Sequence, residues 1–330
     1  MVLIVAIIAL ALLFDFLNGM NDAANSVATI VSTRVLSPKQ AVVWASFFNF
    51  IAVFFFGVHV ATTIGQGIVV TSVITPPLLL VILVSAILWT YGCTRIGLPI
   101  SVSHALVGGL IGAGLAKGGI QALEFSGIIK VCLFIVLSPL IGMFMGYVIM
   151  VIVYRICYHF HLVPRTVDKW FRKLQLFSAA LYSLGHGSND AQKTMGIIAV
   201  LLYSTGHLGK VFHIPFWVIL SCYSSIALGT LLGGWKVIAT LGMKMTKLRP
   251  AHAFSSETAA AFSILLSSFM GIPVSTTHTI TGGIIGVGAT TSLSGIRWGI
   301  AYKIVWAWVL TIPSTAVVSA LLWFLVSPLL

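Results

Sequence analysis

The chain has 330 residues, of which 59% are hydrophobic and only 7% charged, and its mean hydropathy is +1.09. A soluble protein of this size needs about a quarter charged residues to cover its surface, so a soluble globular domain is excluded and an all-α polytopic membrane protein is implied. The formal net charge of +12 would suggest nucleic acid in a soluble protein. Here the basic residues sit in short loops, where they report membrane orientation, and no nucleic-acid partner is expected.

No basic residue precedes the first apolar run and no cleavage site follows it, so the N-terminus is read as mature protein rather than a signal peptide. The run from Val2 to Phe14 is wholly apolar. It is interrupted by Asp15, Asn18, Gly19, Asn21, Asp22 and Asn25, and becomes largely apolar again from Val27. A carboxylate at bilayer depth costs about 2.5–3.5 kcal/mol on insertion scales and needs partners or water. The stretch reads either as a helix broken at a site or as a polar loop between two short helices. Its return as Gly187-Ser-Asn189-Asp190-Ala-Gln-Lys193 favours the site.

The segments expected in chain order are a broken helix over about 2–33, helices over about 41–58 and 78–94, a Gly-rich segment over 97–116, and a long helix over about 125–156. A basic linker over 157–173 follows. The series then returns as a broken helix at about 174–204, helices at about 215–235 and 252–270, a Gly-rich segment at 271–290, and a last helix at about 299–326. No segment alternates with period two, which argues against a β-barrel. Cys93, Cys132, Cys157 and Cys222 have no metal-ligand spacing and are expected as free thiols.

The repetition is measurable. Gly97-Leu-Pro-Ile-Ser-Val-Ser-His104 matches Gly271-Ile-Pro-Val-Ser-Thr-Thr-His278 at an offset of 174, and Gly108-Gly109-Leu-Ile-Gly112 matches Gly282-Gly283-Ile-Ile-Gly286 at the same offset. Asp22 and Asp190 differ by 168. The chain is thus read as a first repeat over 1–156, the linker 157–173, and a second repeat over 174–330.

Arg155, Arg165, Lys169, Arg172 and Lys173 make the linker cytoplasmic, as Lys236, Lys244, Lys247 and Arg249 make the loop after residue 235. In the first half Arg34–Lys39 is the basic loop, whereas 59–77 has no Lys or Arg. Equivalent loops therefore follow opposite charge rules. Inverted-topology repeats require this, place both termini outside the cell membrane, and put a substrate site near the midplane.

Each Gly-x-Pro-x-Ser followed by an apolar run is a helix start, with Ser101 or Ser275 as cap and a partial positive charge that attracts anions. Two helical hairpins meeting near the midplane would bring Ser101, Ser103, Ser275, Thr276 and Thr277 round a small tetrahedral oxyanion. The competing reading is Ser/Thr packing between close helices; Gly108, Gly109 and Gly112 are expected to pack in either case. The Asn–Asp pairs offer hard oxygen ligands for a coupling cation, or carboxylates that carry a proton. Cation and anion together lower the cost of burying either.

The motifs Gly19-x-Asn-Asp-Ala-Ala-Asn25 and Gly187-Ser-Asn-Asp-Ala-Gln-Lys193, with the two Gly-x-Pro-x-Ser-x-x-His segments, resemble the duplicated signatures of the inorganic phosphate transporter (PiT) family. The resemblance spans nearly the whole chain. It implies a secondary transporter, not an enzyme, that moves inorganic phosphate with H⁺ or Na⁺, built from inverted repeats as a homodimer of bacterial type. It would make Asn21 and Asn189, with the five hydroxyls, phosphate-site residues, and Asp22, Asn25, Asp190 and Lys193 coupling-ion residues. Asp22 and Asp190 would be metal ligands if Na⁺ is bound, and no cofactor is expected beyond the coupling ion.

Lys193 departs from the sodium-coupled pattern, which has Asn there. It either reaches for the membrane surface or places an ammonium where sodium would sit, and the second reading favours protons as the driver. His104, His278 and Glu257 are candidate proton-relay groups; the histidines could equally satisfy the hairpin backbone, and Glu257 could pair with a cytoplasmic lysine. Arg95 could pair with a carboxylate or phosphate, or sit at an interface. The competing functions are a sulfate or other oxyanion permease, carriage of metal–phosphate, an anion channel, and an intramembrane aspartyl protease.

Overall fold

The computed structural model describes residues 1–209, 211–244 and 248–329, and side chains outside 242–244. Among the described residues its elements are twelve α-helices and five short 3-10 helices, and the only β-pairing is the isolated bridge Val69–Leu123. The first six are α1 (Val2–Ser32), α2 (Pro38–Ile51), α3 (His59–Gln66), α4 (Pro76–Ile96), α5 (Val102–Gly118) and α6 (Phe125–His159). The second six are α7 (Pro164–Ser204), α8 (Phe216–Leu232), α9 (Trp235–Lys244), α10 (Pro250–Phe269), α11 (Thr276–Ala289) and α12 (Trp298–Val326). Among the described residues α1, α4, α6 and α12 are long and apolar enough to cross a membrane, and the bent pairs α2–α3 and α8–α9 raise the number to six.

The order of long, bent, hairpin and outer helices is the same in both halves, and packing between the halves is reciprocal. Helix α1 packs on α8 and α9 while α7 packs on α2 and α3; α5 packs on α12 while α11 packs on α6. Glycines make these contacts possible. A Cβ on Gly229 would lie 1.9 Å from Phe16 O, and one on Gly19 would lie 2.1 Å from Ile226 O. Gly112 and Gly286 are equivalent, and each leaves 2.0 Å between such a Cβ and a backbone oxygen, that of Ala316 or of Met143. Small residues that let helix backbones touch are the usual basis of association where no hydrophobic drive acts between helices.

Three expectations are corrected. Helices α1 and α7 are continuous through Asp15–Ser26 and Gly187–Lys193 and are not broken there. Asn21, Asp22 and Asn25 of α1, and Asn189, Asp190 and Lys193 of α7, find lateral partners on neighbouring elements without unwinding, and Gly19 and Gly187 serve close approach instead. The breaks fall one element later: α2 and α3 are bent by 86° and α8 and α9 by 74°. The second long helix also begins earlier than expected, at Pro164 rather than at about 174, so most of the basic stretch 157–173 lies within α6 and α7. Of the basic residues assigned to the loop after 235, Lys247 and the side chain of Lys244 lie outside the described residues. All four cysteines are free, as expected.

The hairpins form as the motifs require. Helix α4 ends at Gly97 (φ +77°) and α10 at Gly271 (φ +67°), left-handed caps that glycine adopts without strain, each followed two residues later by proline. Ser101 and Ser275 then cap α5 and α11, accepting from His104 N and His278 N at 3.4 and 3.3 Å. The short helices after the bends cover the turns. Thr63 of α3 donates to Gly271 O at 2.8 Å, and Thr240 of α9 donates to Gly97 O at 3.1 Å.

Gly229→Val should destabilise the protein by about 1–3 kcal/mol by forcing α1 off α8. Gly92→Ala, with nothing within 4 Å of the added Cβ, should leave the thermal unfolding of detergent-solubilised protein unchanged. Equal melting temperatures for the two variants would contradict this packing account.

Candidate functional site

Helices α1 and α7 cross side by side in opposite directions. At one end Thr33 donates to Gln175 Oε1 at 2.9 Å; in the middle Asp22 lies beside His186 and Asp190; at the other end Asp15 lies beside Thr194. The middle is the candidate site. Asp22 and Asp190 are both buried, and His186 Nε2 sits between them, 3.7 Å from Asp22 Oδ2 and 3.3 Å from Asp190 Oδ2. Spacing accounts for the grouping: His186 and Asp190 are i,i+4 on one helix face, and Lys193 is a further three residues on.

Lys193 points inward. Only 2% exposed, it pairs with Asp190, donates to Ser103 Oγ at 2.5 Å and donates to Val274 O at 2.8 Å. A lysine reaching for the membrane surface would show the opposite. Its ammonium thus binds the start of α5, the strand of chain leading into α11, and a carboxylate of α7 to one another.

The two hairpin tips meet here. Thr276 Oγ1 stands 3.1 Å from Asp22 Oδ2 and 3.2 Å from Asp190 Oδ2. Thr277 Oγ1 lies 3.1 Å from Ile100 O of the first hairpin and 3.5 Å from Asp22 Oδ1, and it accepts from Asn25 Nδ2 at 2.8 Å. Asn25–Thr277 and Lys193–Ser103 are the same contact in the two halves, by the offsets of 168 and 174. Thr276, Thr277, Ser103, Asn25, Asp22, Asp190 and Lys193 therefore converge.

Asn21 and Asn189 do something else with their amides. Asn21 Nδ2 donates to Thr94 Oγ1 at 2.7 Å, and Asn189 Nδ2 donates to the equivalent Ser268 Oγ at 3.0 Å and to Ile272 O at 3.3 Å. Both fasten the hairpin's first arm to the long helix. Ser101 and Ser275 are engaged as caps. His104 and His278 are buried behind the tips, edge to face with centroids 4.6 Å apart, and His278 stacks on Trp308 at 3.7 Å. His104 Nδ1 and His278 Nε2 have no hydrogen-bond partner.

Glu257 lies nearer the Thr33 end and meets no lysine among the described residues. It accepts from Thr29 Oγ1 at 2.6 Å, Gln175 Nε2 at 3.1 Å and Ser178 Oγ at 2.5 Å. Arg95 is exposed and donates to Tyr91 OH at 2.9 Å, away from the site. Oxygen atoms of Asp22 and Asp190 with a ring nitrogen of His186 lie within 4.8 Å of one another, so these three side chains have the geometry to hold a cation.

The profile of the Phosphate transporter family matches residues 18–319 of this chain. The chain belongs to the phosphate transporter family. It is 54% identical over 322 residues to a Rhizobium meliloti (strain 1021) protein named "Probable low-affinity inorganic phosphate transporter", covering 98% of this chain and 96% of that one. A Bacillus subtilis (strain 168) protein of the same name is 38% identical, with 99% and 98% covered. Among solved structures, one titled "The sodium-dependent phosphate transporter" superposes with a TM-score of 0.89 at 28% identity, each chain fully covered. The relatives are named as transporters rather than enzymes.

Within this member of the family, sequence reasoning passed over His186. It immediately precedes the recognised Gly187 motif, and the i,i+4 relation to Asp190 was the available signal. It also missed what positions the ring: His186 Nδ1 is 3.0 Å from Asn49 Oδ1, and Asn49 Nδ2 donates to Thr230 Oγ1 at 2.9 Å. Asn49 and Thr230 lie on the bent helices α2 and α8, and no local pattern brings them to α7.

Lys193→Met should cost about 3–5 kcal/mol by leaving Asp190 without its cation, and adding Asp190→Asn should recover most of the loss. A double-mutant cycle on thermal unfolding measures this, and simple additivity of the two losses would remove the pair from the account.

Proposed function

We propose that this protein is a secondary transporter that carries inorganic phosphate across the cell membrane together with protons, its two halves acting as inverted-topology repeats. The observation that carries the reading is the placement of Lys193: a buried ammonium held by Asp190, Ser103 and Val274 O, in the position where the other half has Asn25. Phosphate as cargo is supported by family membership and by the names of the relatives.

The donors for an oxyanion are the hydroxyls of Ser103, Thr276 and Thr277 and the ammonium of Lys193. In the structure described Thr276 and Thr277 serve Asp22, Asp190 and Ile100 O, while Lys193 donates to Asp190, Val274 O and the Ser103 hydroxyl. A proton delivered to this cluster removes one anionic charge and frees hydroxyl donors, which then turn to phosphate oxygens. Proton and anion arrive as a neutralising pair, which lowers the cost of placing either in a buried site. Phosphate keeps hydroxyls that donate to an adjacent carboxylate, a contact sulfate lacks the proton to make.

Sodium dependence belongs to the name of the structural neighbour. Here a sodium ion beside Lys193 would stand against a like charge, at a cost of about 4 kcal/mol for 4 Å separation and an effective dielectric near 20. Inversion of the repeats is supported by the antiparallel crossing of the equivalent helices α1 and α7. Basic groups gather where α1 ends and α7 begins: Arg34, Arg165, Arg172 and Arg249 line one pocket, and Arg172 donates to the carbonyls of Arg34 and Thr33 at 3.0 and 3.4 Å. That end is assigned to the cytoplasm, with both termini outside.

In proteoliposomes, labelled phosphate should accumulate on an imposed pH gradient, persist without sodium, and resist competition by sulfate. Asp22→Asn and Asp190→Asn should each abolish accumulation while the protein stays folded. Strong stimulation of the wild type by Na⁺ at fixed pH and membrane potential would overturn the proton assignment.

A further inference from the structure

Asp15 lies two turns before Asp22 on α1 and is 0% exposed, yet neither of its carboxylate oxygens has a hydrogen-bond partner. It takes part in none of the three ion pairs among the described residues. Three further buried polar atoms from its surroundings are equally unpartnered: Asn18 Oδ1, Thr194 Oγ1 and Tyr223 OH. Asn18 is Asp15's i,i+3 neighbour, the Thr194 hydroxyl stands beside the carboxylate, and Cys222 and Tyr223 of α8 lie within its electrostatic reach. Buried polar groups are almost always paired, and a buried charge without a partner is far costlier than a neutral group. Four such groups together, linked to the central site by helical spacing (Asn18 to Asp22, Thr194 to Asp190), point to something that completes them.

The comparison with Glu257 sharpens this. The two acids flank the Asp22–Asp190 centre along the α1–α7 crossing, Glu257 toward Thr33 and Asp15 toward the N-terminus. Glu257 accepts from three donors, whereas Asp15 has only the Thr194 hydroxyl beside it and no hydrogen bond formed. Neither acid is duplicated: Asp15 corresponds to Ser183 and Glu257 to Leu83. A proton on Asp15 satisfies the cluster in one stroke, because the neutral carboxyl becomes the donor that Asn18 Oδ1 lacks while keeping an acceptor for Thr194 or Tyr223.

We propose that Asp15, with Asn18, Thr194 and Tyr223, is a second proton station on the transport route, on the far side of the central site from Glu257. The step is protonation alone. One O–H bond forms on a carboxylate oxygen of Asp15, with the proton taken from water at the end where α1 begins. The same bond breaks when the proton is given up on the other side with phosphate. The charged groups that face the station are Asp190, His186 and Lys193 of α7; from α8 come only Cys222 and Tyr223. The inference rests on the proton-coupled reading above.

The test is the thermodynamic null point of phosphate flux in proteoliposomes of wild type, Asp15→Asn, Asp15→Ser (the residue of the other half) and Asp15→Glu, with membrane potential clamped at zero. The null point is independent of turnover rate. Losing one proton per phosphate lowers the balancing phosphate ratio about tenfold per pH unit of gradient. That drop is expected for Asp15→Asn and Asp15→Ser and not for Asp15→Glu. An unchanged null point in Asp15→Asn overturns the proposal. So does failure of Asp15→Asn and Asp15→Ser to fold while Asp15→Glu folds, since the carboxylate would then be a structural anion. A wild type whose accumulation ignores the pH gradient would overturn the proton reading itself, and this station with it. Proton-driven wild-type accumulation with an unmoved Asp15→Asn null point removes the station alone.

Discussion

The structure depends on two carboxylates held against each other away from water. Asp22 and Asp190 sit where α1 and α7 cross, and like charges so placed repel strongly unless cations and donors separate them. His186 lies between them, Lys193 is bound to one, and Thr276 reaches both. Every element that supplies these partners is fixed by the need to deliver them. The hairpin tips must arrive with their helix starts inward, α2 and α8 must carry Asn49 and Thr230 to orient the histidine, and α3 and α9 must brace the tips from outside. The glycines at the helix crossings then become intelligible, since a methyl group at any of them would withdraw a helix that delivers a partner.

The hairpins were legible in the sequence because their signals are local: Gly then Pro then Ser, spaced as a left-handed cap, a turn and a helix start, and written twice. The central pair was legible because aspartate is so rarely found in an apolar run. The continuity of α1 and α7 was not, because whether a polar stretch unwinds depends on partners that lie far away in sequence. Asn25 meets Thr277 and Thr29 meets Glu257, contacts no window of α1 contains. The bends at 55–58 and 233–234 were hidden for a related reason. Apolar composition runs straight through them, and only Gly57 and the Gly233-Gly234 pair mark the place. Asn21 and Asn189 illustrate a different limit. Their duplication announced importance, but the structure gives their amides to hairpin anchoring through Thr94 and Ser268.

Duplication and its exceptions divide the labour. The contacts that repeat in both halves, Asn21–Thr94 with Asn189–Ser268 and Asn25–Thr277 with Lys193–Ser103, hold hairpins to long helices. Apart from Asp22 with Asp190 and His104 with His278, the groups that can change charge near the site do not repeat. His186 stands where the first half has Asn18, Lys193 where it has Asn25, Glu257 where it has Leu83, and Asp15 where the second half has Ser183. On the proposed inverted-repeat reading, a symmetric scaffold gives the carrier two equivalent conformations. Asymmetric charges are what allow the two conformations to bind a cation differently, and only a difference in affinity lets a ligand shift their balance.

Charge counting takes the argument one step further. Asp22 and Asp190 contribute two negative charges at the centre, Lys193 one positive charge, and His186 a second positive charge when it holds both ring protons. The cluster is neutral in that state, and an incoming phosphate would leave it with an uncompensated anion in a site closed to water. The cost of such a charge is several kcal/mol or more, and it falls when a cation enters with the anion. Lys193 already neutralises Asp190 from one side, bridging to Ser103 and Val274 O. On the proposed reading the compensating charge rides on groups already in place, since a proton on a carboxylate requires no new cavity. This lysine occupies the position of Asn25 in the other half, which makes one substitution between the halves the physical origin of the coupling chemistry argued for the whole protein.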